Sequence, residues 1–308
     1  MTLSARKRKL PLLAVLGAAA LAACAAPAAP DGTRTADRPA TAHPTAGAPG
    51  RPAAEAVPPR HPGQAATPQA PPTMAPGPGG RTPVFERGSA VAGKTVALTF
   101  DADMTADQGP RAARGEHFDN PALIGALREL KVDATVFMTG RWAEEYPDQA
   151  RAIGTDPRFE IANHSYSHYA FKDPCYGLPV LGRAEQVADV RRAFDAFRTA
   201  GARNVVPYFR FPGGCHDDRA LTELAPARVT AVQWDVVSGD AFATDADAVA
   251  EQVLAGVRPG SLVVMHCTRS AAPVTERAVR KIVPALRAKG YRFVKVSELM
   301  RPEHGDER

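Results

Sequence analysis

Residues 25–83 lack almost every side chain from which a folded core is built. These 59 positions contain 15 Pro and 16 Ala but no Leu, Ile, Phe, Trp or Tyr. Such a composition cannot bury enough apolar surface to offset the entropy lost on ordering the chain. We therefore predict a disordered, Pro-stiffened linker over residues 24–83, a single folded domain over residues 84–300, and a flexible tail over residues 301–308.

The first 24 residues have the layout of an export signal. Four basic residues at positions 6–9 precede an apolar run over positions 10–24, which is shorter than a membrane-spanning helix requires. The sequence Leu21-Ala22-Ala23-Cys24 resembles a bacterial lipobox, in which the peptide before the Cys, here residues 1–23, is removed and the Cys is lipid-modified. We predict that Cys24 anchors the protein to the outer face of the cytoplasmic membrane. An ordinary signal peptide, which would release a secreted protein, is the alternative.

The net charge of +5 is concentrated outside the predicted domain. The leader contributes four basic residues and the linker contributes five Arg against three acidic residues, so residues 84–308 carry about −1. A nearly neutral domain gives no electrostatic reason to expect a nucleic-acid partner. We expect a monomer that contacts the membrane only through its lipid.

Short β-branched runs alternate with stretches of helical periodicity from residue 94 to the end of the chain. The predicted strands are residues 95–100, 134–138, 159–162, 208–211, 230–234, 262–266 and 293–296. The predicted helices are residues 121–130, 143–153, 184–199, 220–224, 246–257 and 275–288. Repeated β/α units in one domain favour a parallel α/β barrel. Periodicity alone leaves a doubly wound open sheet as an alternative.

Polar side chains recur just beyond the predicted strand ends, where parallel β/α folds assemble their active sites. They are Asp101 and Asp103 after the first strand, His164 and His168 after the third, Arg210 and Gly213 at the fourth, Asp240 after the fifth and His266 at the end of the sixth. We expect these residues to meet at one mouth of the sheet.

His164 and His168 have a spacing that suits a divalent metal ion. Residues four apart lie on one side of a helical turn, and imidazole nitrogens are common ligands of zinc. A carboxylate from another segment would complete a three-residue shell and leave a position open for water. Asp103 and Asp101 are the candidates for this third ligand.

The remaining polar residues supply the parts of an acyl-transfer site. Asp101 is the candidate base that takes a proton from water, and the Gly213 N–H is the candidate donor to the oxyanion. His266 is the candidate acid that protonates the leaving amine, with Asp240 holding its pKa high enough for it to arrive protonated. Arg210 is expected to hold either Asp101 or Asp240 by a bidentate contact.

In this order, the motifs resemble those of the polysaccharide deacetylases of the NodB-homology type, carbohydrate esterase family four. The matching segments are Thr99-Phe100-Asp101-Ala102-Asp103, Asn163-His164-Ser165-Tyr166-Ser167-His168, Arg210-Phe211-Pro212-Gly213-Gly214, Trp234-Asp235 with Ser238-Gly239-Asp240, and Gly260-Ser261-Leu262-Val263-Val264-Met265-His266. The resemblance implies a distorted (β/α)7 barrel that removes acetyl groups from N-acetylated sugars with a divalent metal, commonly zinc, with cobalt or nickel as alternatives.

Three positions depart from the pattern of that family. Ala102 occupies the place of the second of two adjacent Asp residues, and Asp103 stands one position further on. The third metal ligand is therefore Asp103, or else Asp101 or water completes the shell. Gly213 replaces an aromatic residue that often follows the Arg-x-Pro segment, and Ala241 replaces a Trp, so the acetyl pocket is expected to be lined differently.

Three cysteines remain once Cys24 is assigned to lipid. Disulfides persist in exported proteins, and we favour the pair Cys175 with Cys215. A thiolate ligand to the metal, with Cys267 beside His266, is the alternative. Trp234 is expected either in the core or as a surface on which substrate stacks.

Three functional hypotheses follow. The first is a lipid-anchored, metal-dependent deacetylase acting on amino sugars of a cell-envelope glycan, such as peptidoglycan or a chitin-like polymer. The second is an O-acetyl esterase on a xylan-type polymer, since the same metal site attacks esters. The third is a non-catalytic glycan-binding lipoprotein in which the shifted Asp has cost the protein its metal.

Overall fold

The computed structural model describes residues 70–301 of the chain. The predicted signal peptide, Cys24 and most of the predicted linker lie outside these residues, as does nearly all of the predicted tail. No helix among the described residues is long and apolar enough to cross a membrane.

The described chain alternates strands and helices from end to end. The strands are β1 Val84–Phe85, β2 Thr95–Ala102, β3 Ala134–Met138, β4 Phe159–Asn163, β5 Val205–Phe209, β6 Thr230–Val232, β7 Val236–Val237, β8 Ser261–His266 and β9 Arg292–Phe293. The helices are α1 Gly109–Ala112, α2 Pro121–Glu129, α3 Gly140–Glu145, α4 Pro147–Gly154, α5 Gln186–Thr199, α6 Asp218–Leu224, α7 Ala246–Gly256, α8 Thr275–Ala288 and α9 Val296–Leu299.

All described strand pairs are parallel and belong to one sheet. The strand order is β1-β6-β5-β4-β3-β2-β8-β7, with β9 pairing the start of β2. Among the described residues no ladder joins β7 to β1, so the sheet curls without closing. Every strand therefore ends at the same edge, and the loops after the strands share one mouth.

The two faces of the sheet are covered differently, which distinguishes a barrel from a doubly wound sheet. Along β2, Val96, Leu98 and Phe100 pack in the large cluster that includes buried residues of α2 to α5, α7 and α8. Ala97 points the other way, into a smaller cluster formed by strand residues and by the C-terminal helix α9. Helices thus surround one face while the other face encloses its own side chains. The predicted distorted barrel is confirmed.

Local sequence signals account for where several helices begin. Asn120, Asp217 and Asp245 each accept a hydrogen bond from a backbone N–H of the first helical turn, of α2, α6 and α7 respectively. Pro121 and Pro147 occupy the first positions of α2 and α4, where a missing N–H is harmless.

Several predicted element bounds are wrong. The single helix predicted over residues 143–153 is two helices, because Pro147 disfavours helical geometry at Tyr146, whose φ is −122° and ψ 58°. The predicted strand 208–211 is shifted to Val205–Phe209, and the strand predicted over 230–234 ends at Val232. The segment predicted as strand 293–296 is a two-residue strand followed by α9. The short strands β1 and β7 carry no periodicity that a sequence could reveal.

The folded part begins earlier than the predicted boundary at residue 84. The Tyr208 hydroxyl donates to the Pro72 carbonyl over 2.8 Å, and the Met74 N–H donates to Thr230 Oγ1 over 3.2 Å. Thr82 is buried, and its N–H donates to the carbonyl of Leu221. The end of the Pro-rich segment has too few apolar side chains to form a core, but it attaches to the domain through backbone hydrogen bonds.

Candidate active site

Strand alternation places both aspartates of the first motif on one side of β2. Ala102 is fully buried in the helix-covered core, whereas Asp101 and Asp103, one residue to either side, face the mouth. Successive side chains of a strand point to opposite faces, so residues two apart share a face. A carboxylate at position 102 would point into the core, and Asp103 is the second acid that can reach the site.

Asp101 is held by a buried arginine. Arg210 has no exposed surface, and its Nη1 donates to Asp101 Oδ1 over 2.6 Å. The same guanidinium donates from Nε to the Val232 carbonyl and lies 3.8 Å from the ring centroid of Phe137. Burial lowers the pKa of Arg210, and the charge of Asp101 opposes this. Of the two carboxylates considered for Arg210, the structure selects Asp101, but the expected bidentate contact is wrong, because Nη2 donates to the Gln233 carbonyl instead.

His164 presents one nitrogen to the mouth as a lone pair. Its Nδ1–H donates to the Arg210 carbonyl over 2.9 Å, and its Nε2 lies 3.7 Å from Asp101 Oδ2. Burial lowers the pKa of His164 to about 4, despite the opposing charge of Asp101. The imidazole is therefore neutral near pH 7, which is the form that binds a metal.

His168 forms a second, similar pair with Asp103. Its Nε2 lies 3.7 Å from Asp103 Oδ2, and its ring centroid lies 5.0 Å from that of His164. Burial lowers the pKa of His168 as well. The two imidazoles thus stand side by side, each facing one carboxylate.

The loop carrying the two histidines is not the helical turn that their spacing suggested. Ser165 and His168 both have left-handed backbone conformations, with φ of 67° and 57°. The loop is held by Asn163 Oδ1, which accepts from the Ser165 N–H, and by Asp189 Oδ1, which accepts from the Tyr166 N–H over 2.6 Å. The helical expectation was wrong because these bonds, rather than helical ones, satisfy the backbone.

Asp103 is oriented by a threonine that follows His266. The Thr268 hydroxyl donates to Asp103 Oδ1 and also lies near the Asp103 backbone. Burial raises the pKa of Asp103, but the imidazoles of His168 and His266, with the Thr268 hydroxyl, outweigh it and hold that pKa below its usual value. The carboxyl group is therefore ionised near neutral pH.

The chemistry of these donors fits a divalent ion. Two donors sharing a tetrahedral ion at about 2.0–2.2 Å lie about 3.3–3.6 Å apart, close to the 3.7 Å between His168 Nε2 and Asp103 Oδ2. No three His, Cys, Asp or Glu side chains already converge as a metal cage within residues 70–301. Asp103, His164 and His168 are one ionised carboxylate and two neutral imidazoles, and His164 has the carbonyl partner usual for a metal-bound histidine.

His266 forms a different kind of pair with Asp240. Its Nδ1 lies 2.8 Å from Asp240 Oδ1, and its backbone N–H donates to Oδ2 of the same carboxylate. The Ser238 and Thr275 hydroxyls also donate to this buried group. Burial lowers the pKa of His266, but the hydrogen bond and charge of Asp240 outweigh it and raise that pKa to about 9. The ring is partly exposed and protonated near pH 7.

Gly213 lies in a tight turn beside the only disulfide among the described residues. The bond joins Cys175 to Cys215, the pair favoured from the sequence. Gly213 has a φ of 63°, and a Cβ there would lie 2.7 Å from Cys175 Sγ. Only glycine fits this position, so the aromatic residue expected at it from the resemblance has no room here.

Three further residues near the mouth have structural surroundings. Cys267 is buried in the core and burial raises its pKa to about 12, which disfavours a thiolate ligand. His216 stacks on Phe211, with centroids 5.1 Å apart. Trp234 is partly buried, lies 5.3 Å from the Arg210 guanidinium, and closes over Gly214.

Sequence reasoning missed several residues that support the site. They are Thr268, Ser238, Thr275 and Asp189. Ser238 belongs to the motif that contains Asp240, and Thr268 follows His266 by two positions, so hydroxyl groups near the motifs were an available signal. Asp189 and Thr275 carry no local signal, because each acts on a segment more than twenty residues away.

Comparison with known proteins finds a matching family and similar chains. The profile of the family described as polysaccharide deacetylase matches residues 88–232. A chitooligosaccharide deacetylase of Sinorhizobium fredii is 30% identical over 198 residues, which cover 61% of this chain and 86% of that protein.

Solved structures share the fold. A peptidoglycan N-acetylglucosamine deacetylase has 25% sequence identity and a TM-score of 0.59, over 72% of this chain and 94% of that one. A carbohydrate esterase family four pseudoenzyme from Bacillus anthracis has 25% identity and a TM-score of 0.57, over 71% of this chain and 69% of that one. The same scaffold therefore occurs both with and without activity.

Proposed function

The chain belongs to the polysaccharide deacetylase family, and from this premise we propose that it is a metal-dependent hydrolase that removes N-acetyl groups from amino sugars of a cell-envelope polysaccharide. The substrate class rests on the chitooligosaccharide and peptidoglycan deacetylases to which the chain is similar. One observation supports the reaction type. His164 is neutral and lies beside a carboxylate, whereas His266, in the same mouth, is protonated.

In this reaction Asp101 acts as the base. Its Oδ2 accepts a proton from the attacking water, while Oδ1 remains engaged by Arg210. The buried guanidinium fixes the carboxylate and keeps it from rotating away, which places the base before the substrate arrives. The Gly213 N–H is the proposed donor to the developing oxyanion.

His266 acts as the acid. Because its pKa is about 9, the ring carries its proton at neutral pH and can deliver it to the departing amine nitrogen. Asp240 uses both oxygens to hold the ring and its backbone N–H, so the proton sits on the outward-facing Nε2.

Asp103, His164 and His168 would hold the metal. A divalent ion there, for which we propose zinc with cobalt or nickel as substitutes, supplies Lewis acidity that polarises the acetyl carbonyl and makes water more acidic. The neutral state of the two imidazoles and the ionised state of Asp103 prepare these side chains for that task without a prior loss of protons.

We also propose that the protein works as a monomer on the outer face of the cytoplasmic membrane, anchored through a lipid on Cys24. Support comes from the lipobox-like sequence and from the long Pro-rich segment that follows it. Such a spacer would let the domain reach glycan away from the membrane surface.

The experiment is a measurement of acetate release by the full chain supplied with Zn²⁺. Chitohexaose and peptidoglycan test amide hydrolysis, and acetylated xylan tests ester hydrolysis. Asp101→Asn is expected to reduce turnover about a hundredfold or more, whereas Asp133→Asn, which removes an equivalent charge at a surface pair with Arg158, should leave it unchanged.

Each alternative has its own outcome. Release from xylan alone would identify an O-acetyl esterase. No release from any substrate with zinc, cobalt or nickel, together with glycan affinity that Asp101→Asn leaves unchanged, would identify a non-catalytic glycan-binding protein and end the deacetylase proposal.

A further inference from the structure

Two aromatic side chains project into solvent from loops of the mouth. Tyr176 is 89% exposed and Phe242 is 84% exposed, the highest values among the large apolar residues described. Both have left-handed backbones, with φ of 47° and 60°. Residues with a Cβ rarely adopt this conformation, and its strain concentrates at functional positions.

The two rings lie on opposite sides of the catalytic strand. Tyr176 lies in the loop after β4, next to Gly213 in the loop after β5. Phe242 lies in the loop after β7, and its N–H donates to the carbonyl of Ala271 in the loop after β8. In the sheet order β5-β4-β3-β2-β8-β7, the strand β2 that carries Asp101 stands between these two groups.

The segments that carry both rings are attached to the site. Tyr176 follows Cys175 of the disulfide, and its Cδ2 would lie 3.2 Å from a Cβ on Gly213. The loop of Phe242 is closed by a hydrogen bond from the Ala243 N–H to the carbonyl of Asp240, the partner of His266. The backbone at each ring is therefore attached to one flank of the catalytic cluster.

Two positions beside the cluster carry no ring for a sugar to lie against, and the ring of Trp234 is partly buried against Gly214. Gly213 has no side chain and Ala241 has only a methyl group. The apolar C–H face of a pyranose packs on the face of an aromatic ring. An aromatic side chain exposed beside a polar site does not stabilise the fold, and such exposure indicates a binding surface.

We propose that Tyr176 and Phe242 form stacking surfaces for the pyranose rings on either side of the sugar unit that is deacetylated. The inference rests on the proposed function, since it takes its occupant to be the polymeric substrate of that same site. It predicts that the protein gains efficiency as the glycan chain lengthens, because longer chains reach both rings.

The test compares chitobiose with chitohexaose on the full chain loaded with Zn²⁺. Tyr176→Ala and Phe242→Ala should each reduce the ratio of kcat/KM for hexamer over dimer by about threefold to tenfold, mainly through KM. Tyr176→Phe and Phe242→Tyr should preserve the ratio. Val91→Ala is the matched control, because Val91 is 79% exposed before the start of β2, at the opposite end from the mouth.

An unchanged ratio in the double alanine variant would overturn the inference, as would an equal loss on dimer and hexamer. If the unsubstituted protein releases no acetate, the proposed function fails, and chitohexaose affinity measured by calorimetry then decides about the rings. Affinity lost in the alanine variants supports the stacking surfaces. Affinity that is unchanged, or absent from the unsubstituted protein, overturns them.

Discussion

His164 and His266 share one mouth and each faces an aspartate, yet they hold opposite protonation states. His164 lies 3.7 Å from Asp101, is buried, and has a pKa of about 4. His266 lies 2.8 Å from Asp240, is partly exposed, and has a pKa of about 9. Residue type and the presence of a carboxylate therefore do not determine the charge of a histidine.

The difference comes from how each aspartate is already engaged. Arg210 takes one oxygen of Asp101, and His164 stands 3.7 Å from the other without a hydrogen bond, so the charge of Asp101 does not outweigh the burial of His164. Asp240 has only neutral hydroxyl partners besides His266, and its full charge acts on that ring. One carboxylate is thus available as a base, whereas the other maintains an acid.

The largest effect is expected from removing both neutral imidazoles. The double substitution His164→Ala, His168→Ala should abolish binding of one Zn²⁺ per chain and lower acetate release at least about a thousandfold. Metal content after dialysis and titration calorimetry measure the first, and turnover the second. His117→Ala, which removes a half-exposed histidine paired with Asp119, is the control. Full metal content in the double variant would place the ion elsewhere.

Asp240→Asn removes the carboxylate charge that keeps His266 protonated. Without the anion the pKa of His266 should fall, so less of the ring is protonated and turnover at pH 8 should drop about a hundredfold. The alkaline limb of the pH–rate profile should move from near 9 to lower pH. If turnover falls but the alkaline limb of the pH–rate profile stays near pH 9, another group is the acid.

Stability should depend on pH in opposite directions for the two histidines. The pKa of His266 is raised in the folded state, so its contribution of about 3 kcal/mol is complete below about pH 6.5 and lost as pH rises through 9. The pKa of His164 is depressed, so its contribution is complete above about pH 6.5 and lost as pH falls towards 4.

Urea unfolding of the metal-free chain between pH 4 and pH 9.5 measures both slopes. His266→Gln should flatten the alkaline slope only, and His164→Gln should weaken the acid slope only. His117→Gln should change neither. Equal slopes in all four proteins would contradict the protonation states assigned to the mouth.

The smallest effect is expected from the threonine that orients Asp103. Thr268→Val keeps the shape of the side chain but removes the hydroxyl donor, so the carboxylate becomes free to rotate. Zn²⁺ affinity should fall about tenfold. Thr268→Ser should restore most of it, and competition with a chelator measures both variants. Unchanged affinity in Thr268→Val would place Asp103 outside the metal shell.

Much of the fold was accessible from periodicity, because hydrophobic runs and helical stretches are local signals. The errors fall where a local signal was absent or competed with another. Pro147 divides a stretch that was predicted as one helix, and Val296, the last residue of the predicted strand 293–296, instead begins a helix. The attachment of residues 72 and 74 uses backbone atoms, which leave no trace in composition.

The order of the motifs along the chain and the alternation of side chains along β2 determined which residues face the mouth. Asp103 lies two residues after Asp101, so it faces the mouth as well. These are local properties of the sequence. The charge of each histidine depends instead on groups distant along the chain. So does the need for glycine at position 213, where a Cβ would meet Cys175 Sγ. Arg210 reaches Asp101 across 109 residues, and Thr268 reaches Asp103 across 165. Electrostatic and packing energies depend on distance in space, so only the tertiary structure could decide them.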